Sequence, residues 1–445
     1  MVKQRTIILI AFLVCLIPRV ILTVINKTAN DDHITPILLW NERGVYPATK
    51  DCWECFQPPF YYGVVKSFAG FVNANTEDEL RIVFQWLNFS VGFFCLLLIF
   101  FFQFKSSLPF KWNLSLALFW GLNPKLIAIS IQATNDVPVI ALGMVFTLLL
   151  LKWIENKSNA LFAFILFIVS LAAIIKGNGL VLFFILAGVL LFLFASKHIS
   201  FSSLSLKTVL LLALIPAIAF LGGYYGKYKN YSNPFFTNLP VAPAPNFFTS
   251  DSAQGFRKGV TTVWDSFFSF KIKSLIEQPY NVNDLSDTYP AHRTSFFTQL
   301  YGQFSNASFE RAPPSWSVKD ESAMNFIRAN YLLQLPLLLL FLFGIFAVLK
   351  QVVKERSPQE FIHLAIFFIY LFFVARYAYN IRDFANMKLI FLFPTLLSMM
   401  YFLWKGIAQL KSLVLNNTAL ILVNASTLLY AINLAYFHIR LFANL

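Results

Sequence analysis

Long apolar runs separated by short polar connections dominate the chain. Crossing a bilayer takes about 17–25 apolar residues, and by that measure spans fall near 6–25, 82–103, 112–131, 137–152, 159–175, 178–195, 208–224, 331–349, 360–375, 389–404 and 417–436. The pattern predicts an all-α polytopic membrane protein with about eleven transmembrane helices. The connections then set orientation. Lys3/Arg5, Lys105/Lys111, Lys152/Lys157, Lys197/Lys207, Lys350/Lys354/Arg356 and Lys405/Lys411 fall in every second one. Because basic residues favour the cytoplasmic side, this places the N-terminus inside and the C-terminus outside.

Two long segments interrupt the alternation, and both fall outside. Residues 26–81 form a first loop with short interfacial helices expected over Ile34 to Asn41 and Pro59 to Val72. Residues 225–330 form a second loop, opening on the Pro-rich linker Asn238-Leu-Pro-Val-Ala-Pro-Ala-Pro-Asn, too rich in Pro for a helix or inner strand. The chain thus divides into an N-terminal transmembrane module (1–224), the loop region (225–330) and C-terminal helices (331–445). Trp264 to Ile276 alternates aromatics with Lys271 and Lys273, as in a segment lying on a membrane. His292-Arg293 and Phe296-Phe297 suit either an acceptor groove or simple packing of this loop onto the spans. No fixed-period repeat is present, which argues against solenoids and propellers.

Composition agrees with the pattern. Of 445 residues, 58% are hydrophobic and 13% charged, about half the charged fraction of a soluble protein. The formal net charge of +14 raises nucleic acid as a partner. The basic residues are instead scattered through short loops, with no basic stripe carrying interleaved aromatics, so nucleic-acid binding is excluded. The N-terminal basic residues and apolar run resemble a signal peptide but lack a small-residue cleavage site, and a retained anchor is expected.

Candidate chemistry concentrates in the first loop, from Asn30-Asp31-Asp32-His33 to Gln57-Pro58-Pro59-Phe60-Tyr61-Tyr62. Adjacent carboxylates repel, so Asp31 and Asp32 make poor structural filler unless solvent, a cation or a shared proton compensates. The structural reading is a solvated pair, or Asp32 capping a helix from Ile34. Pro58-Pro59 is a rigid turn, and Trp53, Tyr61 and Tyr62 are residue types that settle at headgroup level. This arrangement resembles the GT-C class of membrane glycosyltransferases, in particular the protein O-mannosyltransferases and bacterial aminoarabinose transferases that use polyprenyl-phosphate sugars. The matching residues are Asp31-Asp32, Glu54 and Gln57-Pro58-Pro59-Phe60-Tyr61-Tyr62; family members often carry His or Lys where Gln57 stands.

The resemblance implies an inverting glycosyltransferase of the bacterial plasma membrane, or an equivalent lumen-facing membrane, with an extracytoplasmic site. Asp31 would be the general base, and Asp32 would raise its proton affinity or bind a divalent cation. His33, Gln57, Tyr61 and Tyr62 would line the donor cleft with Glu54. The donor would be a polyprenyl-phosphate sugar and the acceptor a hydroxyl on a protein, lipid or glycan. No dedicated cofactor or metal site is implied beyond that cation.

Further candidates stand at other outside turns. Asn135-Asp136 precedes Pro138 and suits either a helix cap or a site. Lys176 interrupts an apolar tract within Ile175-Lys-Gly-Asn-Gly, where the Gly residues permit a tight reversal. As an outside cation it is either a snorkelling helix end or a clamp for a lipid-linked phosphate. Arg376, Arg382 and Lys388 repeat the theme in the last large outside loop. Cys52-Trp53-Glu54-Cys55 suits a small disulfide in an oxidising compartment; a zinc site lacks ligands beyond His33. Cys15 and Cys95 read as packing residues. Nucleotide-binding glycine motifs are absent: Gly222-Gly-Tyr-Tyr-Gly226-Lys227 has the wrong spacing. The reading from another class is a transporter or lipid flippase with Asp31, Asp136 and Lys176 along its pathway; a third is an inactive scaffold.

Overall fold

A computed structural model describes residues 2–27, 32–199, 206–237, 262–279, 291–305, 321–380 and 387–443. Regular structure among them is helical throughout, with no strand. The first half holds α1 (Val2–Ile25), α2 (Thr35–Arg43), α3 (Phe60–Phe71), α4 (Glu77–Gln103), α5 (Phe110–Gly121), α6 (Pro124–Ser130), α7 (Asp136–Asn156), α8 (Asn159–Ile175) and α9 (Val181–Ala195). Then come α10 (Leu206–Gly223), α11 (Tyr225–Tyr231), α12 (Val263–Phe268), α13 (Ile272–Glu277) and α14 (Phe296–Ser305). The last four are α15 (Glu321–Glu355), α16 (Pro358–Asn380), α17 (Leu396–Ala408) and α18 (Leu413–Ala443).

The chain is a polytopic, all-α membrane protein. Seven helices among the described residues are long and apolar enough to cross a bilayer, in α1, α4, α7, α9 with its preceding turn, α15, α16 and α18. Of the other four expected spans, 112–131 and 389–404 are interrupted, whereas 159–175 and 208–224 are continuous helices of 17 and 18 residues. The stretch 112–131 divides at Asn123-Pro124: Pro124 has no N–H to continue a helix, and the Asn123 side chain accepts from the N–H groups of Lys125 and Leu126, both at 3.1 Å. Residues 389–404 open with two 3-10 turns, Leu389–Phe391 and Phe393–Thr395, before α17. α8 has 17 residues, and α10 carries Pro216 within it.

Local chemistry sets the other boundaries. Thr76 and Glu79 form a reciprocal capping box at the start of α4, where Glu77, Asp78 and Glu79 also favour the positive helix end. Gly44 ends α2 at φ +73°, a left-handed turn that costs glycine little. In the C-terminal bundle α15 and α17 approach closely enough that a Cβ on Gly344 would fall 1.7 Å from Phe402 O, and one on Gly406 1.9 Å from Leu340 O. Small residues allow such backbone contact, a common means of joining helices in lipid.

The first loop is built onto this frame. α2 and α3 lie where short helices are expected, and they bury Ile34, Ile37, Tyr61, Tyr62 and Val65 against Phe84, Val139 and Ile175. Tyr61 and Tyr62 are therefore inside the protein, and α4 offers Tyr61 a polar partner: its hydroxyl donates to Asn88 Oδ1 at 2.6 Å. Asn88 Nδ2 in turn donates to the carbonyls of Gln132 and Thr134, tying the loop to the turn before α7. From the 225–330 region, α14 docks on the spans. Asn123 donates to Phe304 O, and Gln303 bridges Met387 O and Leu389 N. His292 and Phe296 are buried in that packing. The Pro-rich linker lies outside the described residues.

Candidate functional site

Three short connections converge at the first-loop end of the bundle: the segment before α2, the turn before α7 and the reversal after α8. The reversal depends on Gly179, where a Cβ would fall 2.1 Å from Ala172 O. It ends α8 at Lys176, whose extended backbone (φ −154°, ψ 147°) starts the 3-10 turn Gly177–Leu180. Lys176 Nζ is thereby brought 2.8 Å from Asp136 Oδ1. Both residues are buried, at 8% and 5% exposure. Thr134 donates its hydroxyl to Asp136 Oδ2 at 2.8 Å, and Phe391 places its ring centroid 5.6 Å from Lys176 Nζ.

Around the ion pair the polar groups are incompletely satisfied. Asn135 is fully buried; its Nδ2 makes one long bond, 3.5 Å, to Ile175 O. Asn135 Oδ1 and Asn178 Oδ1 have no hydrogen-bond partner among the described residues. Buried acceptors are ordinarily paired, and an orphan costs about 1–3 kcal/mol. Both sit on the turns that carry the ion pair: Asn135 directly precedes Asp136, and Asn178 follows Lys176 by two residues.

The first loop supplies the neighbouring wall. His33 is buried, with Nδ1 2.7 Å from the Tyr62 hydroxyl, and is close enough to act electrostatically on Asp136. Asp32, half-buried, accepts a hydrogen bond from the Thr35 hydroxyl; α2 is capped at Ile34, without a side-chain cap bond. Cys52 and Cys55 are joined in a disulfide with Cα atoms 5.1 Å apart. Between them Glu54 is buried and accepts from Gln57 Nε2 at 3.1 Å. The Tyr46 hydroxyl donates to Gln57 O; burial, and secondarily the Glu54 charge, push the pKa of that phenol well above the ordinary tyrosine range.

The sequence-derived residues are thus partly gathered. His33 and Tyr62 form one wall beside Asn135, Asp136 and Lys176. Tyr61 faces Asn88, and Glu54 with Gln57 forms its own buried pair. Lys388 is half-buried at the start of the 3-10 turn carrying Phe391. Arg376 is exposed on α16. Asp31 and Arg382 lie outside the described residues. No group of three or more His, Cys, Asp or Glu side chains suited to a metal ion occurs among the described residues.

Sequence reasoning missed Thr134 and Asn178, which carry no signal of their own. It also missed Arg19, a cation buried within α1 whose Nη1 donates to Cys15 O at 2.6 Å and Gly121 O at 2.7 Å. That signal was available, since a charge inside an apolar run is costly and needs a reason.

No family model matches the chain, and no curated protein matches it. Among solved structures it is similar to the oligosaccharyltransferase of Archaeoglobus fulgidus in its apo form. The two are 14% identical with a TM-score of 0.49, over 99% of this chain and 55% of that one. The complex of the same enzyme with zinc and sulfate gives 13% identity and 0.49, over 96% and 53%. The chain spans about half the length of that oligosaccharyltransferase. No residue role crosses from it to this chain.

Proposed function

We propose that the protein is an integral-membrane glycosyltransferase of GT-C type. It moves a sugar from a polyprenyl-phosphate carrier to a hydroxyl acceptor (protein, lipid or glycan) on the extracytoplasmic side, with inversion at the anomeric carbon. The observation that carries the reading is the buried lysine flanked by two orphan amide oxygens. A ligand that satisfies both must bring an anion for Lys176 and hydroxyl donors for Asn135 and Asn178. A sugar phosphate brings both.

Asp31 acts as general base. It takes the acceptor's proton as the acceptor oxygen bonds to the anomeric carbon and the bond to the carrier phosphate breaks, worth about 10²–10⁴-fold in rate. Asp32 tunes Asp31, directly or through a divalent cation. His33 and Tyr62 shape the donor cleft, with Lys388 and Arg382 as further cations for the leaving phosphate. The site belongs at the membrane surface, where a lipid-anchored donor arrives from the bilayer and a polar acceptor from water.

The test is transfer by purified protein supplied with a polyprenyl-phosphate sugar. Asp31→Asn keeps size and hydrogen bonding but cannot accept the proton, so turnover is expected to fall by about two to four orders of magnitude while donor binding survives. Near-full turnover in both Asp31→Asn and Asp32→Asn would overturn the mechanism. Carrier movement without transfer would support the transporter instead.

A further inference from the structure

The ion pair that marks the site also blocks it. With Asp136 2.8 Å from Lys176 Nζ and both groups buried, an approaching phosphate meets a neutral pair rather than a cation. Resting on the glycosyltransferase reading, we propose that Asp136 is an internal stand-in for the donor's phosphate: the ligand's anion replaces it on Lys176. The carboxylate so released stays beside Thr134, at the wall formed by His33 and Tyr62. Asp136 is then a positioning residue that determines which anions the site accepts.

Three features favour exchange over a permanent lock. The lysine ammonium is a point charge on a flexible four-carbon stem, able to change partner without moving the backbone. Asp136 is held by few groups: one hydroxyl on Oδ2 and only the ion pair on Oδ1. The orphan oxygens of Asn135 and Asn178 on the same two turns leave acceptors that an incoming ligand can use. A stand-in anion also solves a folding problem, since a lone ammonium buried here would be costly until donor arrives. It further selects against weak anions, because any ligand must outcompete a carboxylate already in place.

The experiment measures binding of a polyprenyl phosphate, with the neutral polyprenol as control, to the full chain in nanodiscs at pH 7. Wild type is expected to prefer the phosphate. Asp136→Asn still accepts from Thr134 but no longer competes for Lys176, so phosphate should bind about tenfold or more tightly, the factor for one charge-assisted bond. A merely structural role would not raise affinity. The swapped variant Asp136→Lys with Lys176→Asp preserves a pair but moves the cation; it sets both charges against the helix ends and is less stable, and its folded fraction should lose preference for phosphate over alcohol. Asp136→Asn binding no more tightly than wild type, or a swapped protein that keeps wild-type preference, would overturn the exchange. Absence of phosphate preference in wild type would instead remove the glycosyltransferase reading on which it rests.

Discussion

Two ion pairs of the same design, one buried and one partly exposed at its lysine, stand at opposite ends of the bundle. At the first-loop end, Asp136 in the first turn of α7 meets Lys176 at the end of α8. At the other end, Glu360 in the first turn of α16 meets Lys405 near the end of α17, at 3.0 Å. About 15 Å of helix rise separates Glu360 from Tyr370, whose hydroxyl reaches Asn178 O. The two differ in completeness. Glu360 also accepts from the hydroxyls of Ser357 and Tyr401, and Lys405 also donates to Gln351. His363 bonds Ser398 and stacks on Tyr401 at 3.9 Å; its Nε2 is the loose atom there, among rings including Phe102. Asp136 has one hydroxyl and the lysine, with two amide oxygens idle nearby. The saturated pair is a clasp between α15, α16 and α17; the undersatisfied one is where the proposed chemistry is placed.

The largest expected effect separates them by stability. Lys176→Ala leaves a buried carboxylate with one hydrogen bond and is expected to cost about 3–5 kcal/mol. Lys405→Ala leaves Glu360 two hydroxyl partners, and Lys405 is a quarter exposed, so about 1–3 kcal/mol is expected. Denaturant unfolding of purified protein in detergent compares them, and a costlier Lys405→Ala would break the contrast. Next comes donor binding: Lys176→Ala should weaken polyprenyl-phosphate-sugar affinity by about 1.5–3 kcal/mol, whereas Lys405→Ala should leave the affinity of the folded fraction unchanged. Equal losses would show that both act through stability. Smaller still, Tyr401→Phe removes one of several donors to Glu360 and should cost about 1 kcal/mol, with transfer unaffected.

A third lysine sharpens the comparison because it has aromatic neighbours. Lys227 on α11 lies over the rings of Phe56 and Tyr224, and burial pushes its pKa down to about 8. A lysine depressed in the folded state resists its own charge. Stability therefore rises with pH from about 8 toward the ordinary lysine range, where the unfolded chain still holds the proton. Amine acylation of Lys227 should accordingly show a midpoint near 8, well below the ordinary lysine range. A midpoint in that ordinary range would remove the desolvation account.

Much of the frame is legible in local pattern. Apolar run length locates the helices, and amphipathic stretches after Ile34 and Pro59 locate α2 and α3 to within a residue or two. The CxxC spacing contains the disulfide among its readings. What fails is instructive. The length of an apolar run does not reveal that Asn123 will cap a new helix, so 112–131 reads as one span. The burial of Tyr61 and Tyr62 against Asn88 and His33 is not legible either, because these partners are distant in sequence and meet them only once α3 lies on α4.

The sequence by itself determined that this is a helical membrane protein and that unusual polar residues gather in its first loop and at Asn135-Asp136 and Lys176. Those facts follow from transfer energies and backbone preferences acting over a few residues. Only the tertiary structure decided that Lys176 belongs to Asp136, that Asn135 and Asn178 keep idle oxygens, and that Glu360 and Lys405 form a saturated clasp. A charge's partner is fixed by which helix ends meet, and whether a buried oxygen is satisfied depends on every group around it.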